Sequence, residues 1–376
     1  MHMTSVDQVI PDGDLKNPSA LADLFDQLLR EPNIDKTFSA RLMAARECLT
    51  VGSIESEPFL SVLLRTQGRR IEPLKDALLC LAAQSDQDFE VIVIDHDADK
   101  TAAAHVRRIV AEQEPTFRDR IRVIEVKGGG RSAPLNAGVA AARGEYLSVF
   151  DDDDLIFGHW VEEFHVAAGR ASGRMLRAVS ATQRVRPEVW PHDELGFRTL
   201  SNPHAEYAQS FDFFDHLRVN HSPFMSLAFP RMLFSVLGLA FNDELSVCED
   251  WDLILRGSSL AGVDDIEALT SIYRRWEGGN SSYTDHSINS WRESERRVLG
   301  GLNDSALLMP PGSVTRVREL LEVQAEGQNA RLQLIHLTHS REWRWTRPLR
   351  VLLRMAARGK RLLRRLTRRG TAAGKS

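Results

Sequence analysis

A chain of 376 residues, 43% hydrophobic and 27% charged, has the composition of a globular protein with room for one large domain plus extensions, or for two domains. Its three cysteines, Cys48, Cys80 and Cys248, are odd in number and lack CxxC spacing, which argues against a disulfide framework or a cysteine zinc site and for a reducing compartment. The net charge of −4 conceals an asymmetry: residues 341–376 hold 13 of the 48 Lys and Arg but one of the 52 acids, so an acidic body carries a basic tail.

The first residues are polar and include Asp7, Asp12 and Asp14, without the apolar segment of a secretory signal. No apolar run approaches the roughly 20 residues of a spanning helix. The spacing of Ala20, Leu21, Leu24, Phe25, Leu28 and Leu29 predicts an amphipathic helix, and a second is expected over 38–49. Residues 1–57 carry no chemical motif and read as a packing or partner-contacting extension.

From Phe59 the pattern changes to short apolar runs separated by helical periodicity. Strands are expected at 59–64, 91–94, 121–124 and 146–150, with helices from Pro73 to Ala82, through Ala104, Ile109 and Val110, and near 134–142. This alternation predicts an open, mostly parallel α/β sheet with helices on both faces. Further on, a helix is expected at 160–168, a strand at 178–185, and a loop rich in proline and charge at 187–202. Strands at 225–229 and 271–275 flank a helix through Leu253, Leu255 and Leu260. Helices return near 291–299 and 314–337. The expected divisions are 1–57, 58–285, 286–340 and 341–376.

Ligands of such sheets bind beyond the carboxyl ends of the strands. Thr66, the run Asp95-His96-Asp97 and the four carboxylates Asp151, Asp152, Asp153 and Asp154 all fall at those ends. Four adjacent aspartates repel one another and disfavour a strand, so they are expected in a loop that gathers cationic charge.

These stretches resemble the inverting family 2 glycosyltransferases of the GT-A fold. The resemblance is carried by 61–66, 91–97, Asn136-x-Gly138, Gly144-Glu145-Tyr146, Phe150-Asp151-Asp152-Asp153-Asp154 and Glu249-Asp250-Trp251-Asp252-Leu253. It implies a nucleotide-sugar donor, a hydroxyl acceptor on a glycan or lipid-linked intermediate, and Mg²⁺ or Mn²⁺ at the diphosphate. Within it, Asp153 and Asp154 are the expected metal contacts. Thr66, Asp95, His96, Asp97, Arg131, Asn136, Asp151 and Asp153 are the expected donor contacts. Asp250, with Glu249 second, is the expected base for the acceptor proton. Three positions depart from the family pattern: Gly68 stands where a tyrosine is common, His96 where the second acid of an Asp-Asp pair is usual, and Leu135 where an arginine usually precedes the asparagine. Two other functions share parts of this pattern, namely a nucleotidyltransferase and a sugar-nucleotide or glycan-binding module without turnover.

In the tail, Leu349, Leu352, Leu353, Ala356, Leu363 and Leu366 fall near one helical face, with Arg350, Arg354, Arg358, Arg361 and Arg365 largely on the other. Residues 341–369 are therefore expected to bind an anionic membrane surface, with docking on the acidic body as the alternative. No nucleic-acid recognition fold accompanies the charge. The expected location is cytoplasmic, at the inner face of the plasma membrane.

Overall fold

The apolar runs form strands buried on both faces in the computed structural model, which describes residues 20–30, 35–50, 58–190, 194–278, 286–309 and 312–340, together with residue 345. Strands β1 (Leu60–Thr66), β2 (Phe89–His96), β3 (Ile121–Val126) and β4 (Tyr146–Asp151) lie parallel in the spatial order β3-β2-β1-β4. Alternate side chains of a strand point to opposite faces. Val62, Leu64, Val91 and Val93 accordingly enter one core, while Leu63, Ile92 and Ile94 enter the other. Burial on both sides is why these strands read as continuous apolar runs.

Helices α3 (Ile71–Ala82), α4 (Lys100–Ala111), α5 (Pro115–Arg118) and α7 (Trp160–Arg170) supply the first core, through residues such as Leu78, Val106, Phe117 and Phe164. Helices α6 (Ser132–Ala141), α9 (Met232–Ser235) and α10 (Glu249–Ala261) supply the second, through Leu135, Leu233, Leu253 and Ile254. Local signals fix several helix starts. Asp99 accepts hydrogen bonds from the backbone N–H groups of Thr101 and Ala102 at 2.8 and 2.9 Å, capping α4. Glu114 caps α5, which has Pro115 in its first turn. Close approach demands glycine at two places: a Cβ on Gly144 would lie 2.5 Å from the Ser61 backbone nitrogen, and one on Gly138 would lie 2.6 Å from Ile94 Cδ1.

Beyond β4 the sheet continues through an antiparallel strand, β9 (Leu227–Pro230), to the parallel pair β6 (Met175–Trp190) and β10 (Val263–Trp276). The short β5 (Leu155–Ile156) closes that edge against β10, and β8 (His204–Ala205) pairs with β6. The loop expected at 187–202 is in part a hairpin. β6 runs on to Trp190 and is met antiparallel by β7 (Glu194–Thr199), with Pro187 opposite Phe197. Proline and charge read as a loop there, but a ribbon at the sheet margin, past the end of β10 pairing at Val185, tolerates both. The strand expected at 225–229 begins later, because Phe224–Ser226 forms a turn of 3₁₀ helix.

The first amino-terminal helix, α1 (Ala20–Leu29), packs Leu21 and Phe25 against the second core, and an ion pair links its Asp26 to Arg46 of α2 (Lys36–Thr50) at 2.6 Å. Helix α8 (Phe213–Arg218) joins α10 and α11 (Ile288–Asn303) in a smaller core of Phe213, Trp251, Leu255, Val298 and Leu302. Residues 1–310 form one compact unit and 311–376 another. In the second, α12 (Ser313–His339) is a long helix whose apolar side chains, Leu321, Val323 and Leu332 among them, are exposed. Among the described residues no helix is long and apolar enough to cross a membrane.

Candidate active site

The strand ends bring the acidic run into contact with arginines that the sequence reading did not single out. Parallel pairing sets Arg65 of β1 beside Asp151 of β4. The Arg65 guanidinium grips both Asp151 oxygens, with Nε and Nη2 each donating at 3.1 Å, a fork geometry that a lysine cannot reproduce. Its Nη1 donates to the Arg131 carbonyl at 3.1 Å and, more weakly, to Glu249 Oε1 at 3.4 Å. Arg131, just before α6, donates from Nε to the same Glu249 oxygen at 2.7 Å. One chain of charges, Asp151–Arg65–Glu249–Arg131, thus joins the carboxylate loop to the start of α10.

The other three aspartates have separate partners. Asp152 is buried and accepts from Thr66 Oγ1 at 2.5 Å, while Thr66 in turn accepts the Gly68 N–H at 3.0 Å. Gly68 has φ +66, and a Cβ there would lie 2.9 Å from the Ala102 carbonyl oxygen, so the turn that aims Thr66 requires glycine. Asp153 pairs with Arg70, whose guanidinium also lies 5.6 Å from the centre of the Trp276 ring. Asp154 is buried and accepts the Arg274 backbone N–H at 2.8 Å, tying the loop to β10.

Burial is the main cause that raises the proton affinity of Asp152 and Asp154, and the neighbouring Asp153 charge adds to it in both. The Arg70 charge opposes the shift at Asp152 without cancelling it. Burial therefore disfavours the ionised form of these two carboxylates unless a cation joins them. Carboxylate oxygens are the hard donors that Mg²⁺ and Mn²⁺ accept. Among the described residues no three carboxylate, histidine or cysteine groups already converge as a cage. Asp153 and Asp154 offer oxygens of the kind that a divalent ion keeping several waters accepts, and Asp153 is paired with Arg70 in this structure.

At the next strand end Thr66 is in register with Asp95. Asp95 is 1% exposed, and neither of its oxygens has a hydrogen-bond partner of normal geometry. Burial raises its proton affinity, with the Lys127 charge opposing. The His96 ring Nε2 lies 3.2 Å from the Gly128 carbonyl and 3.2 Å from Asp97, and Asp97 accepts the Gly128 N–H at 2.7 Å. These contacts fold the 128–130 loop back on β2. Asn136 sits apart from this group: its amide exchanges hydrogen bonds with the Phe241 backbone at 2.9 and 2.8 Å and reaches Asp243. It thereby pins the chain that leads toward α10.

Glu249 and Asp250 open α10, where the helix N-terminus favours negative charge. Cys248 before them holds φ 67 and Asp97 holds φ 54; among the described residues these two are the non-glycine positions in the left-handed region, and each adjoins a candidate site residue. Glu249 is 2% exposed and committed to Arg131 and Arg65. Asp250 is half-buried, and Asn220 Nδ2 donates to its Oδ2 at 2.8 Å. Burial, then the adjacent Glu249 charge, pushes the Asp250 carboxyl up to about 6. A carboxylate with that proton affinity suits a general base near neutral pH.

Arg65, Arg70 and Asn220 are the contributors that sequence reasoning missed. Arg65 follows the apolar run expected at 59–64, and β1 extends over it to Thr66. The other two left no signal, because their partners lie 83 and 30 residues away.

Residues 61–218 match the model of Glycosyl transferase family 2. An uncharacterized glycosyltransferase of Methanocaldococcus jannaschii is 29% identical over 106 residues, which are 28% of this chain and 35% of that protein. The O-antigen biosynthesis protein RfbC of Myxococcus xanthus is 28% identical over 129 residues, 34% of this chain and 10% of that one. The chain thus spans about a third or less of the length of these curated relatives. A crystal structure of S. aureus TarS 1-349 in complex with UDP-GlcNAc aligns with a TM-score of 0.48 at 16% identity, covering 64% of this chain and 65% of that one.

Proposed function

We propose that this chain, whose residues 61–218 match the model of Glycosyl transferase family 2, takes a sugar from a nucleotide-sugar donor and transfers it with inversion to a hydroxyl of a glycan or lipid-linked acceptor. The observation that carries the proposal is the linkage of two acidic groups, the 151–154 loop and the Glu249-Asp250 pair, through Arg65, which bonds Asp151 and Glu249, with Arg131 on the same Glu249 oxygen. On this reading the loop faces the donor diphosphate. Asp153 and Asp154 would hold Mg²⁺ or Mn²⁺, which when bound offsets the charge of the departing diphosphate. Thr66, Asp95, His96 and Asp97 lie at the neighbouring strand ends and would meet the nucleoside, with Asp151 held rigid by Arg65. Asp250, with one oxygen held by Asn220, takes the acceptor proton as the oxygen attacks the anomeric carbon, and the bond from that carbon to the diphosphate breaks on the opposite side. Glu249 is the weaker candidate because both arginines already occupy it.

A thermal-shift screen of UDP-, GDP- and dTDP-sugars with Mn²⁺ or Mg²⁺ tests donor recognition. One nucleoside diphosphate series should raise the melting temperature, with the increase lost on chelation. No stabilisation by any of them counts against the reading.

Apart from residue 345 the basic tail lies outside the described residues, and its role is proposed from sequence. Each arginine near an anionic surface contributes about 1 kcal/mol. Removing residues 341–376 should abolish co-sedimentation with vesicles rich in phosphatidylglycerol while leaving turnover of a soluble acceptor within about twofold. Unchanged sedimentation would contradict membrane attachment through this segment.

A further inference from the structure

The sequence between α8 and β9 contributes a group of buried polar residues that the reaction as described does not use. Ser222 is fully buried, and its hydroxyl lies between Arg177 Nε at 2.8 Å and His216 Nε2 at 2.9 Å. Arg177 can only donate, so Ser222 Oγ accepts from it and gives its own proton to His216 Nε2. That leaves the His216 proton on Nδ1, which donates to the Asp212 carbonyl at 2.9 Å. Every group in this line is satisfied with a neutral imidazole, and burial, the largest influence, pushes the His216 pKa down to about 4. Arg177 is held at its far end by Asp265 and the Gln209 carbonyl, each at 3.0 Å. The turn at 220–222 is therefore built on a fixed polar base.

Asn220 stands on that turn. The Ser222 N–H donates to Asn220 Oδ1 at 2.9 Å, which settles the orientation of the amide and directs its NH₂ group at Asp250 Oδ2, 2.8 Å away. A second tie joins the same two elements, since the Trp251 indole N–H donates to the His216 carbonyl at 2.5 Å. We infer that Asn220 is a positioning residue that fixes the rotation of the Asp250 carboxylate by capping its Oδ2. This rests on Asp250 as the base. The charged or titratable groups around Asp250 are Glu249 and Cys248 on its own segment and Arg131 before α6, and these remain when Asn220 is replaced.

An amide N–H favours the ionised carboxylate, so its loss should raise the pH at which Asp250 becomes active. In Asn220→Ala, with the nucleotide sugar selected by thermal shift and saturating acceptor, kcat should fall about tenfold or more and the acid limb of its pH profile should move to higher pH. The donor Kd should stay within about twofold. Asn220→Ser, which keeps a shorter donor, should recover part of both effects. An unmoved acid limb and wild-type kcat in Asn220→Ala overturn the inference, as does a lowered kcat with an unmoved limb, the mark of a merely structural role. Should Asn220→Ala not fold, Asn220→Ser carries the same comparison. An Asp250→Asn control separates the two layers: full activity there removes the base assignment itself, whereas an inactive control beside an unaffected Asn220→Ala removes only the role of Asn220.

Discussion

Asp250→Asn should lose sugar transfer by roughly 10²- to 10⁴-fold, the range over which a positioned general base acts. The substitution nearly preserves shape, and an asparagine oxygen can still accept the Asn220 hydrogen bond, so stability and donor affinity should change little. The loss should therefore appear in kcat. In the unsubstituted protein the same assignment predicts a pH dependence. Asp250 must be ionised to accept a proton, and burial with the Glu249 charge raises its pKa to about 6. Activity should rise with pH through that value and level off above it. A variant retaining more than about a tenth of the wild-type kcat would move the role of base elsewhere, with Glu249 the first place to look.

Arg65→Ala should destabilise the domain by about 3–5 kcal/mol, the scale for removing one partner of a buried ion pair and leaving the other charge uncompensated. Arg65 touches both Asp151 and Glu249. Its removal strips the fork from Asp151 and one of two cations from a carboxylate that is 2% exposed. Activity should fall with stability, because the two acidic groups lose the arginine that sets their separation. Arg65→Lys should fall between, retaining the charge without the paired N–H groups. Urea denaturation measures this directly; a loss below about 1 kcal/mol with an unchanged slope would show that Arg131 alone neutralises Glu249.

The fold was legible wherever one physical requirement dominated. Strands buried on both faces must be continuously apolar, and β1, β2 and β4 announced themselves that way. Four adjacent aspartates cannot extend a strand, so the end of β4 was visible to within a residue. The β6–β7 hairpin was hidden because Pro187 and its charged neighbours satisfy loop and marginal ribbon equally well. Within the site, the acidic residues were legible and their partners were not. The register that sets Arg65 beside Asp151, and the turn that aims Asn220 at Asp250, are three-dimensional facts with no local periodicity. Asn136 is a similar case: its place in a motif was legible, while the engagement of its amide with the Phe241 backbone and Asp243 was not.

The central claim is that the 151–154 loop and Asp250 together move a sugar from a nucleotide onto a hydroxyl. The most direct measurement is to identify the products formed from a labelled nucleotide sugar by the full chain and by Asp250→Asn. The account predicts nucleoside diphosphate and a glycosylated acceptor of inverted anomeric configuration, with both greatly reduced in the variant. Release of pyrophosphate, or equal and negligible turnover by both proteins with a donor that binds, would contradict it.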